Sequence, residues 1–428
     1  MLPDPVKLLR QLIERIVDLM SRLPFAADQD DDDDHIVYAL PRPDPEEFLS
    51  IPVRDNAPDE TEIQRAQRRG QFLARQEMWD TLLREIREHD MARSKTPGGM
   101  SVAELMAYGA RSDVVLGAEH ALDDGRLSDL APLTDGILAL EEIRKEFRND
   151  PYMSLLVAHA HLEIGWAWRG TICEAALPKI NRKRCVTHFA RATKLMLPHC
   201  GAELNSPLIA AAQCALLAAQ KNPGARVSDD YEDLIDLDPH SPRHMRALGC
   251  HLLPRWFGSY QMLEIEARRT AARTYDIWGN GGYTWVYFDA IGMDENACTH
   301  VDLDFFIDGL HDIVAVRPDQ ETVNLLAAYC AIAIRHGQGL STEADLPRLQ
   351  ITECANWLVR EHLTEIHPMV WAHALNGFDN TARVSSGKRY AARGRRSALQ
   401  SIADMFSSEI GEGRRITFTD QGPHVDAA

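Results

Sequence analysis

The stretch that decides the fold is DPYMSLLVAHAHLEIGWAWRG, residues 150–170. Asp150 can cap the free N–H groups of a helix, and Pro151 supplies a preset φ at its first position. The apolar run that follows is too long for a strand, and Gly170 permits the left-handed turn that closes a helix. Two later stretches repeat the plan. Asp238-Pro239 precedes HMRALGCHLL and ends near Gly258, and Pro318-Asp319 precedes VNLLAAYCAIAI and ends near Gly337. Asp150 to Gly170 and Asp238 to Gly258 each span 20 positions, and Asp319 to Gly337 spans 18.

A second amphipathic segment follows each one, over 182–197, 260–275 and 351–363, with further helices over 207–221 and 301–316. Helix pairs that recur along a chain cannot bury their apolar faces alone and must stack on their neighbours. The units start 88 and 81 residues apart, about twice the ~34–45 residues of common helical repeats, so each holds two hairpins. Upstream, the spacing predicts one long helix over 61–93, a hairpin around Gly109 formed by 101–108 and 112–122, and a helix over 133–147. Residues 281–291 (GGYTWVYFDAI) carry the one β-like composition and still read as helix, with Gly279 to Gly282 as a turn between helices. The expected fold class is all-α, an α-solenoid of helical hairpins.

Working outward, the ends differ from the body. Residues 1–25 form an amphipathic helix in which charges interrupt every apolar run, so neither a signal peptide nor a membrane span is predicted. Lying on a membrane surface through residues 5–23 is an alternative to packing on protein. Residues 26–60 read as an acidic, proline-rich linker containing Asp28 and the run Asp30, Asp31, Asp32, Asp33 and Asp34. That run lacks the glycine and distal glutamate of a calcium-binding EF-hand loop. The repeat body is placed at 61–378. Residues 379–428 read as a basic, partly disordered tail, with Lys388, Arg389, Arg393, Arg395 and Arg396 as a contact patch for something anionic or as an internal partner of the run Asp30–Asp34.

The 428 residues carry a formal charge of −18, and the first 60 hold 15 acids against 6 bases. Such a body repels nucleic acid at long range. None of the eight cysteines forms a C-x-x-C pair, and free buried thiols in a cytoplasmic, reducing setting are expected. His159 and His161, with Glu163 nearby, invite a metal reading, but the two imidazoles point about 200° apart on a helix, and His240 and His244 lack the glutamate of a zinc-protease motif, so no metal is expected. Serine-nucleophile elbows, phosphate-binding loops and dinucleotide fingerprints are missing from the sequence, and no cofactor is expected.

The richest stretch is 255–287. Arginine, tryptophan and tyrosine are enriched at binding hot spots, which marks Arg255, Trp256, Tyr260, Arg268, Arg269, Tyr283 and Trp285 as candidate partner-binding residues. Inter-repeat packing competes with that reading, with Trp256 and Trp278 filling a seam and the arginines paired to Glu264 or Glu266. The segment SPRHMRALGCHLLPRWFGSYQMLEIEARRTA resembles tetratricopeptide-type helical repeats. More narrowly, it is similar to bacterial repeat proteins of unknown function with an Arg-Trp-Gly-Gly-Ser loop. Here the loop is Arg255-Trp256-Phe257-Gly258-Ser259, so Phe257 replaces the first glycine. The resemblance implies a fold and brings no activity.

The function expected is a non-enzymatic scaffold that binds a protein or peptide on the repeat surface. Two alternatives stand beside it: an enzyme with an inter-helix Arg/Glu pocket for an anionic small molecule, and a membrane-peripheral adaptor using the N-terminal helix.

Overall fold

The computed structural model describes residues 44–55, 57–124, 130–170, 177–219, 223–336, 338–376 and 386–426. The expected helix at 1–25, the aspartate run at 30–34, Cys173 and Gly337 lie outside them. Most described residues are helical, and the strands present lie outside 150–363. No helix among the described residues is long and apolar enough to cross a membrane.

The chain divides into two compact units. One holds Asp59–His244 and Pro254–Gly258, the other Met245–Leu253 and Ser259–Ala428 together with residues before Asp59.

In the first unit the helices are Pro58–Arg75, Trp79–Met91, Val102–Asp123, Leu130–Glu146, Pro151–Arg169, Lys179–Met196, Pro207–Ala215 and Val227–Leu237. Helices pack on the next and on the next but one, around a core running from Ala66 to Leu216. The deciding stretch behaves as its caps require: the Asp150 carboxylate accepts from the N–H groups of Tyr152 and Met153, and Gly170 adopts φ 58°.

Three expectations need correction here. The helix expected over 61–93 is two helices, because Glu77 takes φ 54° and the Met78 N–H bonds back to the Leu73 carbonyl at 2.9 Å. That closes a helix without the usual glycine. The hairpin expected at Gly109 is one unbroken helix, Val102–Asp123. Gly109 is there for close approach: a Cβ would sit 1.9 Å from the Gln67 carbonyl oxygen. Asp238, expected as an N-cap, instead ends the preceding helix and binds the Lys95 ammonium at 2.7 Å. The next helix starts at Pro242.

In the second unit, helices Tyr260–Arg273, Gly281–Met293, Leu303–Val316, Gln320–Ala331, Thr342–Trp357, Pro368–Asn376 and Gly387–Met405 carry the core. Asp319 caps Gln320–Ala331 as expected, and the β-like stretch at 281–291 is helical.

Residues read as a flexible linker and a loose tail meet in a small sheet of this unit. Asp44 caps the turn Pro45–Phe48, after which Leu49–Ser50 pairs parallel with Ile416–Thr419, itself antiparallel to Gly422–Val425. Prolines and charge argued against structure here, but edge pairing from a distant segment overrides local preference. Gly387–Met405 likewise buries Tyr390, Gly394, Ala398, Leu399 and Ile402 along one face and turns its bases outward.

Candidate functional site

The seven residues singled out between 255 and 287 are divided between the two units, and two of them are buried. Arg255 and Trp256 belong to the first unit, and Tyr260, Arg268, Arg269, Tyr283 and Trp285 to the second. Trp278, paired with Trp256 in the expected seam, also lies in the second unit. Tyr283 and Trp285 are core residues, 0% and 1% exposed. They cannot meet a partner without unfolding.

The hydroxyls and charged groups around them are paired, whereas the buried Trp285 Nε1 has no hydrogen-bond partner. Tyr283 and Tyr287 both donate their hydroxyls to Glu264 Oε2 at 2.8 Å, and the Tyr283 oxygen accepts the Asp302 N–H at 2.8 Å. Arg268 bridges Glu264 at 2.5 Å and Asp302 at 2.8 Å while lying over the Tyr283 and Phe305 rings. Arg269 pairs with Glu266 at 2.8 Å, and Tyr260 reaches the Asp294 carboxylate. Burial, with Glu264 beside them, pushes both tyrosine phenols far above their ordinary range. These bonds tie Tyr260–Arg273 to Gly281–Met293 and to the start of Leu303–Val316.

The histidine pair separates as helical geometry requires. His161 bonds His188 Nδ1 at 2.8 Å and Glu141 Oε1 at 3.2 Å, whereas His159 faces a different group. His244 lies 3.6 Å from the Asp238 carboxylate. Among the described residues no three His, Cys, Asp or Glu side chains are arranged to hold a metal ion. Seven cysteines, all but Cys173, are free thiols.

The group that His159 faces is a cluster of the first unit in which several buried polar atoms are left over. Helix Val102–Asp123 presents Glu104, Tyr108 and Arg111 at positions i, i+4 and i+7, which share a face. Helix Pro151–Arg169 presents His159 and Glu163 at i and i+4, and Arg243 comes from the first turn of Pro242–His251. All six belong to the first unit. Arg111, 4% exposed, donates from Nε and Nη2 to one oxygen of Glu163, at 3.0 and 2.5 Å. Its guanidinium lies 5.4 Å from the centre of the half-exposed Tyr108 ring. Arg243 donates to Glu104 at 3.1 Å.

Three buried atoms of this cluster have no hydrogen-bond partner: Arg111 Nη1, Glu163 Oε2 and His159 Nδ1. Buried polar atoms are costly when unpaired, and such a group calls for water or a ligand. Burial, reinforced by Arg111 and opposed by Glu104, pulls His159 down to about 3, so its imidazole is neutral at pH 7. Arg243 holds Glu104 below the usual carboxylate range against the effect of burial. Two arginines thus balance two glutamates around a neutral imidazole.

Sequence reading noticed His159 and Glu163 but not Arg111, because the turn expected at Gly109 split the face carrying Glu104, Tyr108 and Arg111. Their i, i+4, i+7 spacing was the available signal.

The five bases singled out near the C-terminus are all exposed on Gly387–Met405. Arg395 pairs with Glu46 at 2.9 Å. Comparison with family models, curated proteins and solved structures finds no match to this chain.

Proposed function

We propose that the chain is a binding protein built from tetratricopeptide-like helical hairpins, and that its first unit holds a small polar molecule between helices Val102–Asp123 and Pro151–Arg169. Packing of Pro151–Arg169 on both neighbouring helices and on Val102–Asp123 and Pro207–Ala215, its next-but-one neighbours, supports the repeat reading. The observation that carries the ligand reading is the set of unpartnered buried atoms Arg111 Nη1, Glu163 Oε2 and His159 Nδ1.

Their chemistry defines the ligand class. Arg111 offers N–H to an anionic oxygen, Glu163 accepts from an amine or hydroxyl, and neutral His159 serves either role. Because the cluster's own charges cancel, a molecule carrying one carboxylate or phosphate oxygen beside a donor group fits better than a multiply charged anion. Binding is favoured over proton transfer. A general base works best with a pKa near the operating pH, and His159 at about 3 is far below it. A protein partner seated on residues 255–287 loses support, since Tyr283 and Trp285 are interior.

Calorimetric titration with small carboxylates and phosphates, with and without a neighbouring amine or hydroxyl, tests this. The paired variant R111M/E163Q leaves no orphaned charge. Losing the hydrogen bonds of two charged groups, worth about 1.5–3 kcal/mol each, should weaken the best ligand by about 100-fold or more. Unchanged affinity in a folded variant would refute the site.

A further inference from the structure

The second unit carries an exposed cationic face whose partner can be argued from the chain itself. Lys388, Arg389, Arg393, Arg395 and Arg396 all lie on the solvent side of Gly387–Met405. Among the described residues only Arg395 of these five has a carboxylate in ion-pair contact. Lys388 and Arg389 occupy the first turn, where the helix dipole disfavours cations. Two cations in the first turn, continued by three more along the same exposed side, favour a neighbouring anion.

We propose that this face docks the chain's own acidic run, Asp28 with the aspartates at 30–34. Complementarity is close, six carboxylates against five bases. The point of entry supports it as well: Arg395 pairs with Glu46, and the described chain begins two residues earlier at Asp44. Asp34 and Asp44 are ten positions apart, a stretch that reaches about 33–36 Å when extended. From Lys388 to Arg396 the helix rises only about 12 Å, so every cation of the face is within range.

A tethered segment also acts at an effective concentration of order millimolar. An external polyanion has no such advantage and must approach a body of net charge −18. Insertion of this helix into a membrane is disfavoured because its apolar face is in use: Gly394 lies so close to Pro368 that a Cβ would meet the Pro368 carbonyl oxygen at 2.0 Å.

The test treats the full chain at low salt with a water-soluble carbodiimide, which joins an amine and a carboxylate in direct contact, and maps the products by mass spectrometry. The expected product links Lys388 to a residue within 28–34 in the monomeric fraction. It should disappear near 1 M salt, where screening shortens to about 3 Å. The exposed pair Lys145–Glu142, 2.5 Å apart, serves as the positive control. Heparin binding supplies a second measurement: neutralising the run as D30N/D31N/D32N/D33N/D34N should tighten it at least ~10-fold by uncovering the face. Absence of the Lys388 product while the control forms overturns the proposal. A product confined to dimers, or equal heparin affinity in both chains, does so as well, the first assigning the face to a second copy and the second to an outside polyanion.

Discussion

Asp90 shows how much one buried carboxylate can organise. It is 2% exposed and accepts the Tyr152 hydroxyl at 2.8 Å, the Ser206 hydroxyl, and the Leu208 N–H at 3.1 Å. Those donors come from the starts of two helices, so the side chain ties Pro151–Arg169 and Pro207–Ala215 to the end of Trp79–Met91. Burial raises its pKa even though all three donors favour the charged form. Removing it strands those donors at about 1–3 kcal/mol for each that stays unsatisfied. Asp90→Ala should therefore destabilise the first unit by about 3 kcal/mol or more, read from the urea midpoint. A loss under about 1 kcal/mol would mean that water replaces the carboxylate.

At the scale of elements, glycine carries two different messages. Gly170 ends its helix with a left-handed φ, as its place after an apolar run implies. Gly109 sits mid-helix because helix Pro58–Arg75 passes against it. Gly109→Ala would force those helices apart, and about 3 kcal/mol of destabilisation is expected from overpacking backbone against Cβ. Thermal unfolding measures it, with exposed Gly117, which a Cβ would not crowd, as the control. Asp319→Ala should cost only about 1 kcal/mol, the usual loss of an N-cap.

The same contrast explains what the sequence made legible. Caps at Asp150 and Asp319 and the periodicity between them located helices, because both signals are local. Helix ends formed by left-handed Glu77 and Arg93 carry no residue signature. The site suffered from a related blindness: Glu104, Tyr108 and Arg111 share a face only if Gly109 is not a turn, and that depends on a helix some 40 residues upstream. Residue type alone marked Tyr283 and Trp285, but the chemistry that suits a hot spot also suits a core.

For the whole molecule, pH dependence follows from histidines held in opposite states. Burial pulls His188 and His251 down to about 4, with His161 and Arg184 also disfavouring a charge on His188, and His159 falls to about 3. The unfolded chain, with histidines near 6.5, binds more protons than the folded one between those values. Stability from these three is full above pH 6.5 and is lost as pH falls toward 4. His367 runs the other way. Burial lowers its pKa, but Glu321 at 2.6 Å and Glu365 at 3.1 Å outweigh that and raise it. Its contribution is full below 6.5 and fades as pH rises through its folded value. The melting temperature should peak near neutrality and fall on both sides, and His367→Gln should flatten only the alkaline limb. A monotonic profile from pH 4 to 9 at fixed ionic strength would contradict these assignments.

The pairing of Leu49–Ser50 with Ile416–Thr419 has a consequence for synthesis. A ribosome delivers Leu49–Ser50 more than 360 residues before its neighbour at Ile416, and residues 59–244, which hold most of the first unit, emerge in between. That unit can assemble during translation, whereas the second must wait with an unpaired strand until residues 416–419 have been made. Stalled chains lacking residues 416–425 should yield a protease-resistant first unit and a digestible remainder.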